Sequence, residues 1–111
     1  MNQREKLIIK YAADLKAKFD IDADMDLLTK IAIGLGPSIY NRDSATVSSS
    51  EAKELETVKE RFLKKKLGLE DNLDAPLNSI IQAYGKTNRM KYRVVVYYLL
   101  TKHYGKESVY L

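Results

Sequence analysis

Apolar positions recur along the chain with helical spacing, and their phase marks out the elements. Over residues 3–19, Leu7, Ile8, Tyr11, Ala12, Leu15 and Phe19 share one face, with Lys6, Lys10, Asp14, Lys16 and Lys18 outside it. Spacings of one, three and four residues place side chains on a single helical stripe. A second helix is predicted from Asp24, whose carboxylate suits an N-cap, through Leu27, Leu28, Ile31 and Ala32. Gly34 and Gly36-Pro37 end it, because glycine accepts a left-handed cap and proline cannot continue the ladder.

Residues 36–50 (GPSIYNRDSATVSSS) read as one long connection, pinned to the body of the protein by Ile39, Tyr40 and Val47. The next helix starts where Ser48 and Glu51 stand at capping-box spacing and Val47 can staple against Ala52. Its apolar stripe is Leu55, Val58, Phe62 and Leu63. Glu51, Glu54 and Glu56 come early and Lys64, Lys65 and Lys66 late, complementing the macrodipole, and Gly68 closes the element. A short helix follows, with Asp74 as cap, Pro76 in the first turn, Leu77, Ile80, Ile81 and Tyr84 within, and Gly85 at its end.

The last element opens at Thr87 or Asn88 and runs RMKYRVVVYYLLTKHY. Its Val-Val-Val-Tyr-Tyr run has strand propensity, yet its length and lack of internal turn residues favour a helix. Tyr92, Val95, Val96, Leu99, Leu100 and His103 share one face, and Met90, Val94, Tyr97 and Tyr98 occupy much of the rest. A helix apolar nearly all round is either central or covered by a partner. The expectation is an all-α fold: a single compact domain over residues 1–111, of about five helices. The last helix is central, and residues 36–50 form a long ordered loop over the core.

Composition narrows the function classes. The chain has 111 residues, 45% of them hydrophobic and 31% charged, with no Cys and one His. That length suits one domain. Without cysteine there is no disulfide, thiolate nucleophile, zinc finger or iron–sulfur cluster, and a reducing cytosol is the expected compartment. No run of 18 apolar residues occurs, and the opening MNQREKLIIKYAADLK is charged too early for a signal peptide. The expectation is therefore a cytoplasmic protein with no membrane partner.

Charge is unevenly spread. Residues 1–85 hold 13 basic and 14 acidic side chains, whereas residues 86–111 hold six basic side chains against Glu107 alone. Lys86, Arg89, Lys91 and Arg93 crowd the predicted start of the last helix, the positive end of its macrodipole. Either internal acids such as Glu70, Asp71 or Asp74 compensate them, or an external anion does. Lys86, Arg89 and Arg93 are thus candidate anion-binding residues.

Other candidate chemistry is sparse. His103, on the apolar face, reads as a partly buried structural imidazole, with no second His or Cys to complete a zinc site. The DIDADMD stretch fails the calcium-loop pattern, placing Met25 where the turn glycine belongs and Ile31 where the bidentate glutamate belongs. Gly34-Leu35-Gly36 lacks the rest of a phosphate loop. No residue is assigned as catalytic, cofactor-binding or metal-binding, no cofactor is expected, and the balance is against an enzyme.

Two longer strings carry a resemblance. IGLGPSIYNRDSATVSSSEAKELETVKERFLKKKLGL (33–69) and KYRVVVYYLLTKHYGKESVY (91–110) resemble the domain-of-unknown-function 2853 family of small bacterial proteins. The resemblance implies a bacterial, single-domain, cytoplasmic protein and carries over no functional residue. The leading expectation is a non-enzymatic protein–protein interaction or self-associating domain, such as a homodimer. Its candidate interface is Met90, Val94, Tyr97 and Tyr98, with Tyr104 and Tyr110 as further exposed candidates, because tyrosine combines a rigid apolar body with a polar tip. The alternative is a weak nucleic-acid or polyanion binder through the basic segment 86–106. A helix-turn-helix over 75–84 and 88–104 would need polar groove-facing side chains, which are scarce beyond Arg93.

Overall fold

Asn2 opens the first helix by accepting the Glu5 N–H at 2.9 Å, and the Glu5 carboxylate accepts the Asn2 N–H at 3.2 Å. This reciprocal capping box satisfies two donors that the helix itself leaves unpaired. In the computed structural model, which describes residues 2–48, 52–85 and 87–111, helix α1 spans Gln3–Phe19. It buries Ile8, Tyr11 and Leu15, the centre of the predicted stripe, and closes at Asp20 in the left-handed region (φ 55°). Helix α2 (Met25–Leu35) is capped by Asp24, which accepts the Leu27 N–H at 3.2 Å, and buries Leu27, Leu28, Ile31 and Ala32.

The connection after α2 carries more structure than its composition suggests. A 3-10 turn covers Gly36–Tyr40, and helix α3 covers Arg42–Ala45, capped by the Asn41 side chain. Ile39 and Val47 are buried as pins, whereas Tyr40 is 45% exposed and pins less than expected. The predicted Ser48–Glu51 capping box involves Glu51, which lies outside the described residues.

Helix α4 (Ala52–Thr57) continues as a π-helical stretch over Val58–Lys64, with backbone bonds such as Lys65 N–H to Glu60 O and Leu67 N–H to Phe62 O. These widened turns still bury Val58, Phe62 and Leu63. Helix α5 (Asp74–Gly85) buries Pro76, Leu77, Ile81 and Tyr84.

Helix α6 (Arg93–His103) is the central element, packing on α1, α2, α3 and α5. None of residues 93–101 is more than 9% exposed. Its start differs from the expectation of Thr87 or Asn88. Lys91 O accepts the Val47 N–H at 2.8 Å, Thr46 and Tyr92 form an isolated antiparallel bridge, and Tyr92 is extended. Pairing with the α3–α4 connection holds 91–92 straight and postpones the helix to Arg93. Among the described residues, no helix is long and apolar enough to cross a membrane.

Tyrosine hydroxyls tie the periphery to this core. Tyr98 accepts the Asp24 N–H at 2.8 Å, and Tyr84 donates to Asp14 at 2.5 Å while accepting the Tyr92 N–H at 3.2 Å. Tyr104 donates to Asn72 O at 2.6 Å. The Tyr11 hydroxyl is the exception: it is buried, with no partner among the described residues.

Tyr11, Tyr84 and Tyr110 make stability sensitive to alkali. Burial first, then the neighbouring Tyr92 and Tyr40 hydroxyls, pushes Tyr11 up to about 12. Burial first, then Tyr97, pushes Tyr110 up to about 12, and burial with Asp14 raises Tyr84 as well. An unfolded tyrosine ionises near pH ~10, so above that pH the unfolded chain releases protons the native state keeps. The stabilisation is complete below about pH 10 and is lost as pH rises through about 12. Buried Lys91, lowered by desolvation, works in the opposite sense but is outnumbered. The urea midpoint is therefore expected to fall steadily above about pH 10. Tyr11→Phe should raise stability at neutral pH by about 1 kcal/mol, by removing an unpaired buried hydroxyl, and should flatten part of the alkaline loss. A midpoint indifferent to both pH and this substitution would contradict the assignment.

Candidate functional site

Arg93 occupies the first turn of α6, where a cation meets the positive end of the helix dipole. The fold accommodates it by surrounding the guanidinium with acceptors. Nε donates to Ser44 O at 2.8 Å, and Nη2 donates to Thr46 O at 3.2 Å and to the Glu54 carboxylate. Nη1 donates to the Tyr97 hydroxyl at 3.4 Å, one helical turn along. Burial works against the charge, but Tyr97 and Glu54 outweigh it, so the guanidinium pKa lies above its ordinary value. The compensating acid is thus Glu54 rather than Glu70, Asp71 or Asp74. Asp74 is instead held by Lys59 at 2.5 Å.

Arg93 also forms part of the floor of a cleft of about 580 Å³. One wall is the end of α2 with Ile31, Gly34 and Leu35, and a second is the connection with Ser38, Asp43 and Ser44. A further part of the lining is α4 and the π-helical stretch, with Glu54, Thr57, Arg61 and Phe62. Lys66 and Tyr110 complete the lining, Tyr110 coming from a C-terminal 3-10 turn (Glu107–Tyr110). Phe62 and Tyr97 stack at 3.8 Å between centroids with planes 10° apart. The Lys66 ammonium sits 4.8 Å from the Tyr110 ring centre, within cation–π range. A volume of this size, with an apolar base and a few fixed polar groups, has the form of a ligand site. π-helical turns also recur at functional sites.

The expected site residues separate in three dimensions. Lys86 lies outside the described residues, Arg89 is exposed in the turn before α6, and Arg93 is buried against Glu54. Lys91 is buried too, its ammonium donating to Gly85 O and Asn88 O at the end of α5. Arg89 is therefore the one described candidate left facing solvent at the start of the last helix. That helix begins five residues later than the Asn88 expectation, and two of its cations serve the interior. The interface expectation fares similarly: Val94, Tyr97 and Tyr98 are core, while Met90 is exposed but precedes the helix. Tyr104 and Tyr110 are partly buried. His103 is exposed in the last turn of α6, edge-on to Tyr104, rather than partly buried.

The acidic stretch is accounted for locally. Asp24 caps α2, Asp26 pairs with Lys30 at 3.0 Å, and Lys16 reaches Asp20 and Asp22 at 3.2 and 3.3 Å. Among the described residues, no group of three His, Cys, Asp or Glu side chains is placed to hold a metal ion. Sequence reasoning missed the cleft residues Glu54, Arg61, Phe62 and Lys66, which read there as ordinary parts of an amphipathic, dipole-matched helix. Only a cation of unexplained position, Arg93, pointed toward the site.

The protein family described as "Protein of unknown function (DUF2853)" matches residues 10–108, nearly the whole chain. None of the curated proteins matches it.

Removing one member of a buried ion pair strands the other, which typically costs about 3–5 kcal/mol. Arg93→Ala is expected to destabilise the protein by that amount in urea denaturation, with the α3–α4 connection loosened. Glu54→Gln should cost less, about 1–2 kcal/mol, because the amide oxygen still accepts from Nη2. An unchanged midpoint for Arg93→Ala would remove the guanidinium from its organising role.

Proposed function

This chain belongs to the DUF2853 family, whose function is unknown, and we propose that it is a non-enzymatic interaction domain that docks a short segment of a partner protein in the Arg93 cleft. The observation that carries the reading is the cleft itself. It holds about 580 Å³ between four parts of the fold, with stacked Phe62 and Tyr97 at its base and Arg61 and Lys66 among its lining cations. Aromatic and arginine side chains in a partly desolvated pocket are the usual anchors of protein recognition. The partner is a different protein rather than a second copy, since Val94, Tyr97 and Tyr98, three of the four candidate interface residues, are interior. The same reading places the chain in a bacterial cytoplasm, which its lack of cysteine suits. The polyanion alternative is weaker, because Lys91 and Arg93 are turned to internal use.

A panel of capped dipeptides, each an aromatic residue followed by a varied second residue, tests the docking. Titrated to about 10 mM, where weak binding is still visible, at least one member should shift amide resonances of Leu35, Thr57 and Tyr97 while leaving those of α1 in place. Thr57→Trp, which fills the cleft from α4, should abolish these shifts with the fold intact. If no member perturbs the cleft, the docking reading is wrong.

A further inference from the structure

We propose that the cleft reads a single carboxylate on its partner, an Asp or Glu side chain beside an apolar or aromatic residue, through Arg93 with Arg61 and Lys66. This inference rests on the docking reading and names the chemistry of what docks. Three observations carry it.

The first is a donor count. A guanidinium has five N–H groups. Arg93 uses four of them, on Ser44 O, Thr46 O, Glu54 and the Tyr97 hydroxyl. One Nη1 hydrogen has no acceptor among the described residues, on a side chain only 10% exposed that lines the cleft. A guanidinium donor with no protein acceptor on the lining of a cleft can take an incoming acceptor oxygen.

The second is the charge of the lining. Three cations, Arg61, Lys66 and Arg93, face two carboxylates, Asp43 and Glu54. Glu54 is committed to Arg93, and neither Arg61 nor Lys66 has an ion pair among the described residues. Among the described lining residues the surplus is one positive charge. That matches a monoanionic carboxylate better than a doubly charged phosphate, which would remain partly uncompensated beside Asp43.

The third is the apolar surface next to these cations. Phe62, Tyr97 and Tyr110 belong to the same lining, together with Ile31 and Leu35. An aromatic or aliphatic side chain adjoining the acid would lie against this surface while its carboxylate reaches the guanidinium. Charge-assisted hydrogen bonds in such a partly dry setting are stronger than those in open solvent.

Two capped dipeptides that differ only in charge, acetyl-Phe-Glu-amide and acetyl-Phe-Gln-amide, test the inference by NMR titration at low salt. The Glu peptide is expected to bind at least about tenfold tighter, the scale of one charge-assisted bond, and to shift the Arg93 Nε–H resonance. The preference should shrink in high salt. In the double variant Arg61→Gln, Lys66→Gln it should shrink severalfold, leaving the part that Arg93 supplies, while both peptides still reach the cleft. Equal affinity of the two peptides for the unmodified protein would overturn the carboxylate inference and leave the docking reading standing. A Glu preference undiminished in the double variant would overturn the assignment to Arg61 and Lys66. Failure of every aromatic dipeptide to enter the cleft would overturn both readings together.

Discussion

Much of the fold depends on how one cation is buried. Arg93 stands at the first turn of the most enclosed helix, where both burial and the helix dipole oppose a positive charge. Its guanidinium is tolerated because it reaches acceptors from three places at once: the carbonyls of Ser44 and Thr46, the carboxylate of Glu54 and the hydroxyl of Tyr97. Those bonds draw the α3–α4 connection and α4 against α6. They also explain why a segment rich in Ser, Asn and Asp lies ordered on the core, with Val47 buried beneath it. A lysine could not do this, because an ammonium lacks the planar fork that spans several acceptors.

Tyrosine supplies the second level of organisation. The chain has eight tyrosines and no tryptophan. Tyr84, Tyr98 and Tyr104 each place a ring against the core and spend the hydroxyl on a distant segment: Asp14 in α1, the backbone of Asp24 and the backbone of Asn72. Polar-tipped rings of this kind join core to connection without leaving a buried polar atom unpaired. Three of the eight tyrosines thus act as internal fasteners, and Tyr97 and Tyr98, two of the candidates for an external interface, are buried within the chain. Burial also raises the phenols of Tyr11, Tyr84 and Tyr110, which hold their protons where an exposed tyrosine would release them.

The cleft is a consequence of these two devices. Arg93 pulls α4 inward at Glu54, and the π-helical turns that follow carry Phe62 against Tyr97 and Arg61 to the cleft lining. The end of α2 and the C-terminal turn bearing Tyr110 belong to the same lining. A guanidinium that is structural on most of its edges remains open on one. Under the docking proposal, structure and recognition would share that residue.

Local physics made most helices readable from the sequence alone. The apolar stripes of α1, α2 and α5, the cap at Asp24, and the stops at Gly36, Gly68 and Gly85 depend on residues within a turn or two, and each stands where its pattern implies. What only the tertiary structure decided involves residues far apart in the chain. The start of α6 was moved by the pairing of 46–47 with 91–92, a contact across some forty-five positions. Tyr97 and Tyr98 went inward because other helices cover the sides of α6 that periodicity left open to a partner. Glu54 became the counter-ion of Arg93 over 39 residues of sequence. Helical spacing reports which side chains share a face, and the charge of a residue reports that it needs compensation. Neither reports which distant segment will supply the covering surface or the opposite charge, because that is fixed by packing the whole chain at once.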